Sequence, residues 1–285
     1  MNRHVIFDYS GYMAEKLSGY HVIPRVKCLE DIDSAVMETG KQNQVYCVWA
    51  DCSLMSISDM RWETVQTDMP IILYAYSIGD TFRVLMEIER LRRLNIRIFL
   101  SSTCQENFHA IKVLSSLGVD AGILMDARHI NDDFFLDLAS YALLSNAPHA
   151  SIEPFDYIGR NVTQSENLDI RTIYFDNPSK YIYVNENLDF AFSEEALMNK
   201  DYVGNLSDMT EIDFNTETSV KLDRYYSHFI SLDDCCKCPS FKVCDRKSQT
   251  VFTDCKDVYS TIFEYAEISN SQRREPQRKK RLCQL

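Results

Sequence analysis

Glycine is scarce in this chain of 285 residues: there are eight, and no two form a GG or GxG pair. That removes the glycine-rich loop with which a strand-to-helix turn cradles a phosphate or a nucleotide. Long apolar runs are missing too, since none approaches the roughly 18 residues that a membrane span needs. The opening residues Met1-Asn2-Arg3-His4-Val5-Ile6-Phe7-Asp8 lack a signal peptide's hydrophobic stretch. The expectation is a cytoplasmic protein with no membrane partner. In that reducing compartment ten cysteines do not make a disulfide framework, and Asn161-Val162-Thr163 carries no meaning as a glycosylation sequon. Cys283 stands third from the end, so the terminus is not a prenylation signal.

Positive charge is in deficit, with a net charge of -12. Six basic residues nevertheless fall in the last thirteen: Arg273, Arg274, Arg278, Lys279, Lys280 and Arg281. The remainder is therefore more acidic still, which argues against a nucleic-acid-binding body and leaves only a solvated, disordered basic tail to touch an anionic partner.

What is present is a repeating pattern. From about Pro70 to Phe155 short apolar runs alternate with amphipathic stretches, the signature of βα units on a mostly parallel sheet. Ile71–Tyr76, Ile96–Leu100 and Ala121–Met125 read as strands. Asp80 and Asn131 read as N-caps of helices, and a further helix spans about Gln105 to Leu117 with Gly118 as its stop. Before residue 70 the pattern predicts strands at His4–Tyr9 and Gln44–Trp49 and a helix near Leu29–Thr39. After Asn161 the character changes: Ile170–Phe175 and Tyr181–Val184 alternate like a hairpin joined by Asp176-Asn177-Pro178-Ser179, Leu188–Phe192 reads as a third strand, and Tyr202–Leu206 as a turn.

The chemistry-bearing signal is a set of four cysteines, Cys235, Cys238, Cys244 and Cys255, spaced C-x2-C-x5-C-x10-C. Thiolates at such spacing suit one metal ion or cluster, and four of them suit tetrahedral zinc at least as well as an iron–sulfur cluster. Cys236 leaves open which sulfur binds. The C-terminal part is small and irregular enough to need such a staple. Cys104 ends a predicted strand, where α/β folds place functional residues, but a lone cysteine there reads more simply as core. His109 and His129 pair with no cysteine and read as core or surface residues. Glu153 and Asp156 end the last βα strand, where a pocket could form.

These features together resemble radical SAM enzymes that carry a C-terminal SPASM domain. In that family the C-terminal domain begins with a hairpin and an Ile-Gly-Asn-like turn, matched here by Val203-Gly204-Asn205-Leu206. Its C-x2-C-x5-C-x3-C motif is matched by Cys235, Cys238 and Cys244, with Cys255 as the later cysteine and Ser248 where the fourth motif cysteine would stand. The hairpin offers no cysteine for the family's other auxiliary cluster. The resemblance implies one closed [4Fe–4S] cluster on Cys235, Cys238, Cys244 and Cys255, and the spacing of the thiolates leaves one zinc ion as the alternative. The family also needs a C-x3-C-x2-C triplet after the first barrel strand, and Cys28, Cys47, Cys52 and Cys104 do not make one, so no SAM is expected.

The fold expectation is α/β: a partial (β/α) barrel-like domain at 1–160, a small α+β SPASM-like domain at 161–266 stapled by a cysteine metal site, and the basic tail at 267–285. The functional expectation is a non-catalytic partner or peptide-binding protein in a ribosomal-peptide or protein modification system, its partners a precursor peptide and/or a cognate radical SAM enzyme. The alternatives are a radical SAM-type peptide maturase or oxidoreductase that uses the auxiliary cluster, and a zinc-stabilised interaction module.

Overall fold

The computed structural model describes residues 3–126, 130–162, 169–208 and 255–282, the last stretch with side chains to residue 271. The chain is α/β, as its pattern predicts, and forms two compact units: Met1–Phe99 with Arg171–Cys236, and Leu100–Ile170 with Lys237–Leu285.

The first unit is built on parallel strands. β1 (His4–Asp8), α1 (Gly11–Lys16), β2 (His21–Val26), α2 (Ile32–Thr39), β3 (Gln44–Val45), β4 (Val48–Ser56) and β5 (Ile71–Ser77) follow one another. Two short helices, α3 (Thr81–Met86) and α4 (Ile88–Arg93), lead to β6 (Ile96–Ser101), inside which the division between the units falls. Asp80 caps α3 as expected, its carboxylate accepting from the amides of Phe82 and Arg83. The chain returns to this unit with β9 (Tyr181–Val184), β10 (Asp189–Ala191), α8 (Glu194–Met198) and β11 (Gly204–Asn205). The strand order is β11-β10-β9-β1-β2-β4-β5-β6, with β3 also beside β2. β9 runs parallel to β1, pairing Val5 with Ile182 and Phe7 with Val184.

Three expectations shift in this unit. The single strand expected at Gln44–Trp49 is two strands, because β2 pairs with β3 through His21 and Val22 and with β4 through Arg25 and Val26. Pro24 lies between those two partners, so its missing N–H falls where the ladder changes hands. Ile170–Thr172 is a 3-10 turn and not a strand, since the amides of Tyr174 and Asp176 both fold back onto the Arg171 carbonyl. The hairpin is therefore β9 with β10, antiparallel through Val184 and Phe190. Its turn is set by Asn185, whose side-chain oxygen accepts from the amides of Asn187 and Asp189. Gly204 then lets β11 close on β10, because a Cβ there would sit 2.9 Å from the Phe190 ring.

Apolar burial welds these distant segments together. Val5, Phe7, Met13, Leu17 and Val22 pack with Ile182, Val184, Phe190, Phe192 and Leu206 in one buried cluster. Each large side chain so buried contributes about 1.5–3 kcal/mol.

The second unit contains the C-terminal end of β6, α5 (Glu106–Ser116), β7 (Asp120–Leu124), α6 (Asp132–Leu144), β8 (Ile152–Glu153), α7 (Phe155–Asn161) and α9 (Cys255–Leu282). Its strand order is β6-β7-β8, with β7 parallel to β8. Asn131 caps α6 by accepting from the Phe134 amide at 3.1 Å. Val258, Tyr259, Ile262 and Ala266 form the buried stripe of α9, which packs against α6 and α7; their spacing is that of one helix face.

At the N-terminal ends of β1 and β2 the His4 ring lies 4.2 Å from Tyr46, 5.9 Å from Tyr181 and 6.1 Å from His21, centroid to centroid. Burial first, then the positive charges of His21 and Lys180, hold its imidazole below the ordinary value of 6.5. The unfolded chain thus binds a proton there more readily than the folded one. This contribution to stability is complete above about pH 6.5 and is lost as the pH falls below it. Urea midpoints measured from about pH 7 down to pH 5 are expected to fall less steeply in His4→Asn than in the wild type.

Candidate functional site

Because β1, β2 and β9 are parallel, their C-terminal ends emerge on one side of the sheet, the place where open α/β sheets put ligands. Register sets the next step: Asp8 is opposite Arg25, and Arg25 is opposite Trp49. The Arg25 guanidinium donates from Nε to Asp8 Oδ1 at 2.5 Å and from Nη1 to the Glu194 carboxylate, which arrives from the first turn of α8. It also lies 5.1 Å from the centroid of the Trp49 ring, a cation–π geometry. Its side chain is only 10% exposed. Burial works against the charge, but the hydrogen bonds and charges of Asp8 and Glu194 outweigh it and push the guanidinium's pKa above its ordinary value. Arg25 is a permanent buried cation.

A second pair sits beside the first. Lys27 Nζ donates to Asp51 Oδ2 at 2.8 Å. Burial pushes the Asp51 carboxyl up, yet the Lys27 ammonium, the Ser53 hydroxyl and the Arg25 charge together hold it below the usual carboxylate value. Two spaces open at these strand ends. One, of about 150 Å³, is bounded by Asp8, Arg25, Asn185 and Leu197. The other, of about 340 Å³, is bounded by Cys28, Cys52, Met55, Met60 and Arg61.

Cys28 and Cys52 at these strand ends, and Cys47 and Cys104 elsewhere, are not poised to react. Burial, followed by the hydrogen bond and charge of Asp31, pushes Cys28 up to about 11. Burial pushes Cys47 up to about 12, and burial followed by the Asp51 charge does the same to Cys52. Cys104, expected as a core cysteine at the end of a strand, is half-buried and donates to Glu106 at 3.0 Å; burial and then that carboxylate raise its pKa as well. Neutral thiols are poor nucleophiles and poor metal ligands. The arrangement at the strand ends is one guanidinium held between two carboxylates of the chain, beside the Lys27–Asp51 pair.

The cysteine set is placed only in part. Cys255 is the first residue of α9 and is half-buried, while Cys235, Cys238 and Cys244 lie outside the described residues, as do Cys236 and His129. Among the described residues no group of three or more His, Cys, Asp or Glu could hold a metal ion. Glu153 and Asp156 serve the backbone: Asp156 accepts from the Ile152 amide at 2.6 Å, and Glu153 accepts from the Tyr157 amide and from Arg160, each at 2.9 Å. His109 is an exposed residue of α5.

None of Asp8, Arg25, Trp49 and Glu194 is a candidate site residue in the sequence expectations. Pro24 and Arg25 interrupt the apolar run that would have marked β2. Glu194 is 169 residues from the arginine that it meets, a distance no local pattern spans.

Among known proteins the chain matches no protein-family model and no curated protein. Among the described residues no helix is long and apolar enough to cross a membrane.

Proposed function

We propose that the chain is a non-catalytic partner or peptide-binding protein in a ribosomal-peptide or protein modification system, a degenerate relative of the radical SAM/SPASM enzymes. The observation that carries this reading is the connection after β1. Between Asp8 and α1 stand only Tyr9 and Ser10, and both are engaged: Tyr9 donates its hydroxyl to Glu38, and Ser10 caps the helix by accepting from the Met13 amide. A turn of this length has no room for a three-cysteine loop of the kind that reductive SAM cleavage requires at that point.

The running order of β1, β2, β4, β5 and β6 supports the partial (β/α) barrel-like reading. The β9–β10 hairpin followed by Gly204 and Asn205 supports the SPASM-like one. In a SPASM-like site Cys235, Cys238, Cys244 and Cys255 would hold one [4Fe–4S] cluster, or one zinc ion, and supply folding energy to the segment around it. The donors fit in type, four sulfurs for either group, and Cys255 begins a helix, where the N-terminal amides favour a thiolate.

A macromolecular partner is supported by apolar side chains left in water. Leu54 at the end of β4 is 96% exposed, and Phe82 and Met86 on α3 are 71% and 72% exposed. Phe82 and Met86 stand on one short helix, and apolar side chains exposed together in this way mark interaction surfaces.

The test is the composition and chemistry of an anaerobic preparation. About four irons and four sulfides per chain are expected; one zinc without sulfide would replace the cluster but keep the staple, and neither metal would remove the staple. In calorimetry SAM is expected not to bind. Binding followed by reductive cleavage would overturn the non-catalytic reading.

A further inference from the structure

The small cavity at the ends of β1, β2 and β9 contains an arrangement that a purely structural ion pair does not need. Arg25 is nearly buried, whereas its two carboxylates are not: the Asp8 side chain is 64% exposed and that of Glu194 is 39% exposed. Asp8 is fixed by its strand. Glu194 belongs to α8, a helix of five residues none of which is buried. α8 is held by its cap, in which Ser193 accepts from the Ala196 amide, by its packing on β9 and β10 and by the Glu194 contact with Arg25. Leu197 of the same helix borders the cavity of about 150 Å³ beside the guanidinium.

We propose that this cavity is a binding site for a single carboxylate group, with Arg25 as its receptor and Glu194, which reaches the same guanidinium without lining the cavity, as the carboxylate that an external one displaces. The guanidinium presents a planar fork that matches a carboxylate, and an exchange of one carboxylate for another keeps the buried charge compensated. A doubly charged group such as phosphate fits less well, because Asp8 remains beside it and Glu186 borders the same cavity. Release of Glu194 costs little in solvation, because that side chain already meets water. When it leaves, α8 loses its ion pair with the guanidinium and keeps its packing on β9 and β10. The ligand could carry its carboxylate at a peptide C-terminus, on an acidic side chain or as a free small acid. This site stands independently of the cysteine set and of any metal bound there.

The experiment uses the full chain. Thermal unfolding of the wild type and of Glu194→Ala is followed during titration with sodium acetate, against sodium chloride at matched ionic strength. In Glu194→Ala acetate is expected to raise Tm saturably, with a midpoint at least about tenfold lower than in the wild type, where it competes with a tethered carboxylate. Adding Arg25→Gln to Glu194→Ala is expected to abolish the saturable rise. Should the double variant fail to fold, the comparison of Glu194→Ala with the wild type still decides. Three glycine-rich pentapeptides then separate the sources: one with a free C-terminus, its C-terminal amide, and the amide bearing one internal Glu. A rise with the first alone assigns a peptide C-terminus, a rise with the third an acidic side chain, and a rise with acetate alone a small free acid. Equal acetate midpoints in the two proteins, or chloride acting as well as acetate, would overturn the proposal.

Discussion

Phe190→Ala is expected to lower the stability of the first unit by about 3–5 kcal/mol, the usual cost of deleting a buried aromatic ring. Phe190 is fully buried in β10 and packs with Phe7, Ile182 and Leu206. It is also the surface on which Gly204 closes β11, at a distance that leaves no space for a further carbon. The variant therefore loses both the ring's transfer energy and the seat of the last strand. Urea unfolding followed by tryptophan fluorescence measures the effect, since Trp49 and Trp62 both belong to this unit. A loss below about 1 kcal/mol would mean that β9, β10 and β11 are an appendage to the strands of residues 4–77 and not part of their core.

Gly79→Ala is expected to cost about 2–4 kcal/mol, from two additive causes. Gly79 has φ +68°, a left-handed conformation that costs an L side chain roughly 1 kcal/mol. Its missing Cβ would also meet Ser58 Oγ at 2.2 Å and Ser56 Cβ at 2.9 Å, and relieving such an overlap by backbone shifts costs about 1–3 kcal/mol more. The turn from β5 into α3 rests directly on Ser58, just after β4, and beside it Ser56 and Ser77, the last residues of β4 and β5, join their hydroxyls at 2.8 Å. Gly79→Ala is thus expected to loosen the surface that displays Phe82 and Met86, which limited proteolysis reports as earlier cleavage near α3. The double variant Gly79→Ala with Ser58→Gly removes the closest overlap and is expected to recover part of the steric cost, since the approach to Ser56 Cβ at 2.9 Å and the strained φ both remain.

The parts of the fold that were legible in the sequence are those where local chemistry agrees with tertiary packing. Asp80 and Asn131 cap the helices they were expected to cap, and β5, β6, β7, α5 and α6 fall on the apolar runs that predict them. The failures have two causes, long-range pairing and local turns. β2 hides because Pro24 and Arg25 break its apolar pattern, and only its change of partner from β3 to β4 explains why a proline is tolerated there. The hairpin was displaced by one segment because Ile170–Phe175 alternates like a strand but its carbonyls are used in turns. The candidate site shows the same limit more sharply. Its cation and its two carboxylates stand at residues 8, 25 and 194, and each is an ordinary charged residue until the sheet places it. The cysteine spacing was legible, and of its four members Cys255 alone lies among the described residues.

The pairing of β9 with β1 has a consequence for the order in which the newly made chain can fold. Arg3 donates to the Pro178 carbonyl across 175 residues of sequence, and β1 takes its second neighbour from the strand that follows. At translation speeds of about 5–20 residues per second, the first strand leaves the ribosome roughly 10–35 s before its partner exists. During that interval Val5 and Phe7 lie on an open strand edge, the kind of edge that invites pairing with another chain. His4 and Asp8 at its two ends are the polar residues that flank this run. Synthesis at low temperature or with a holding chaperone is therefore expected to matter more for this protein than its final stability alone would suggest.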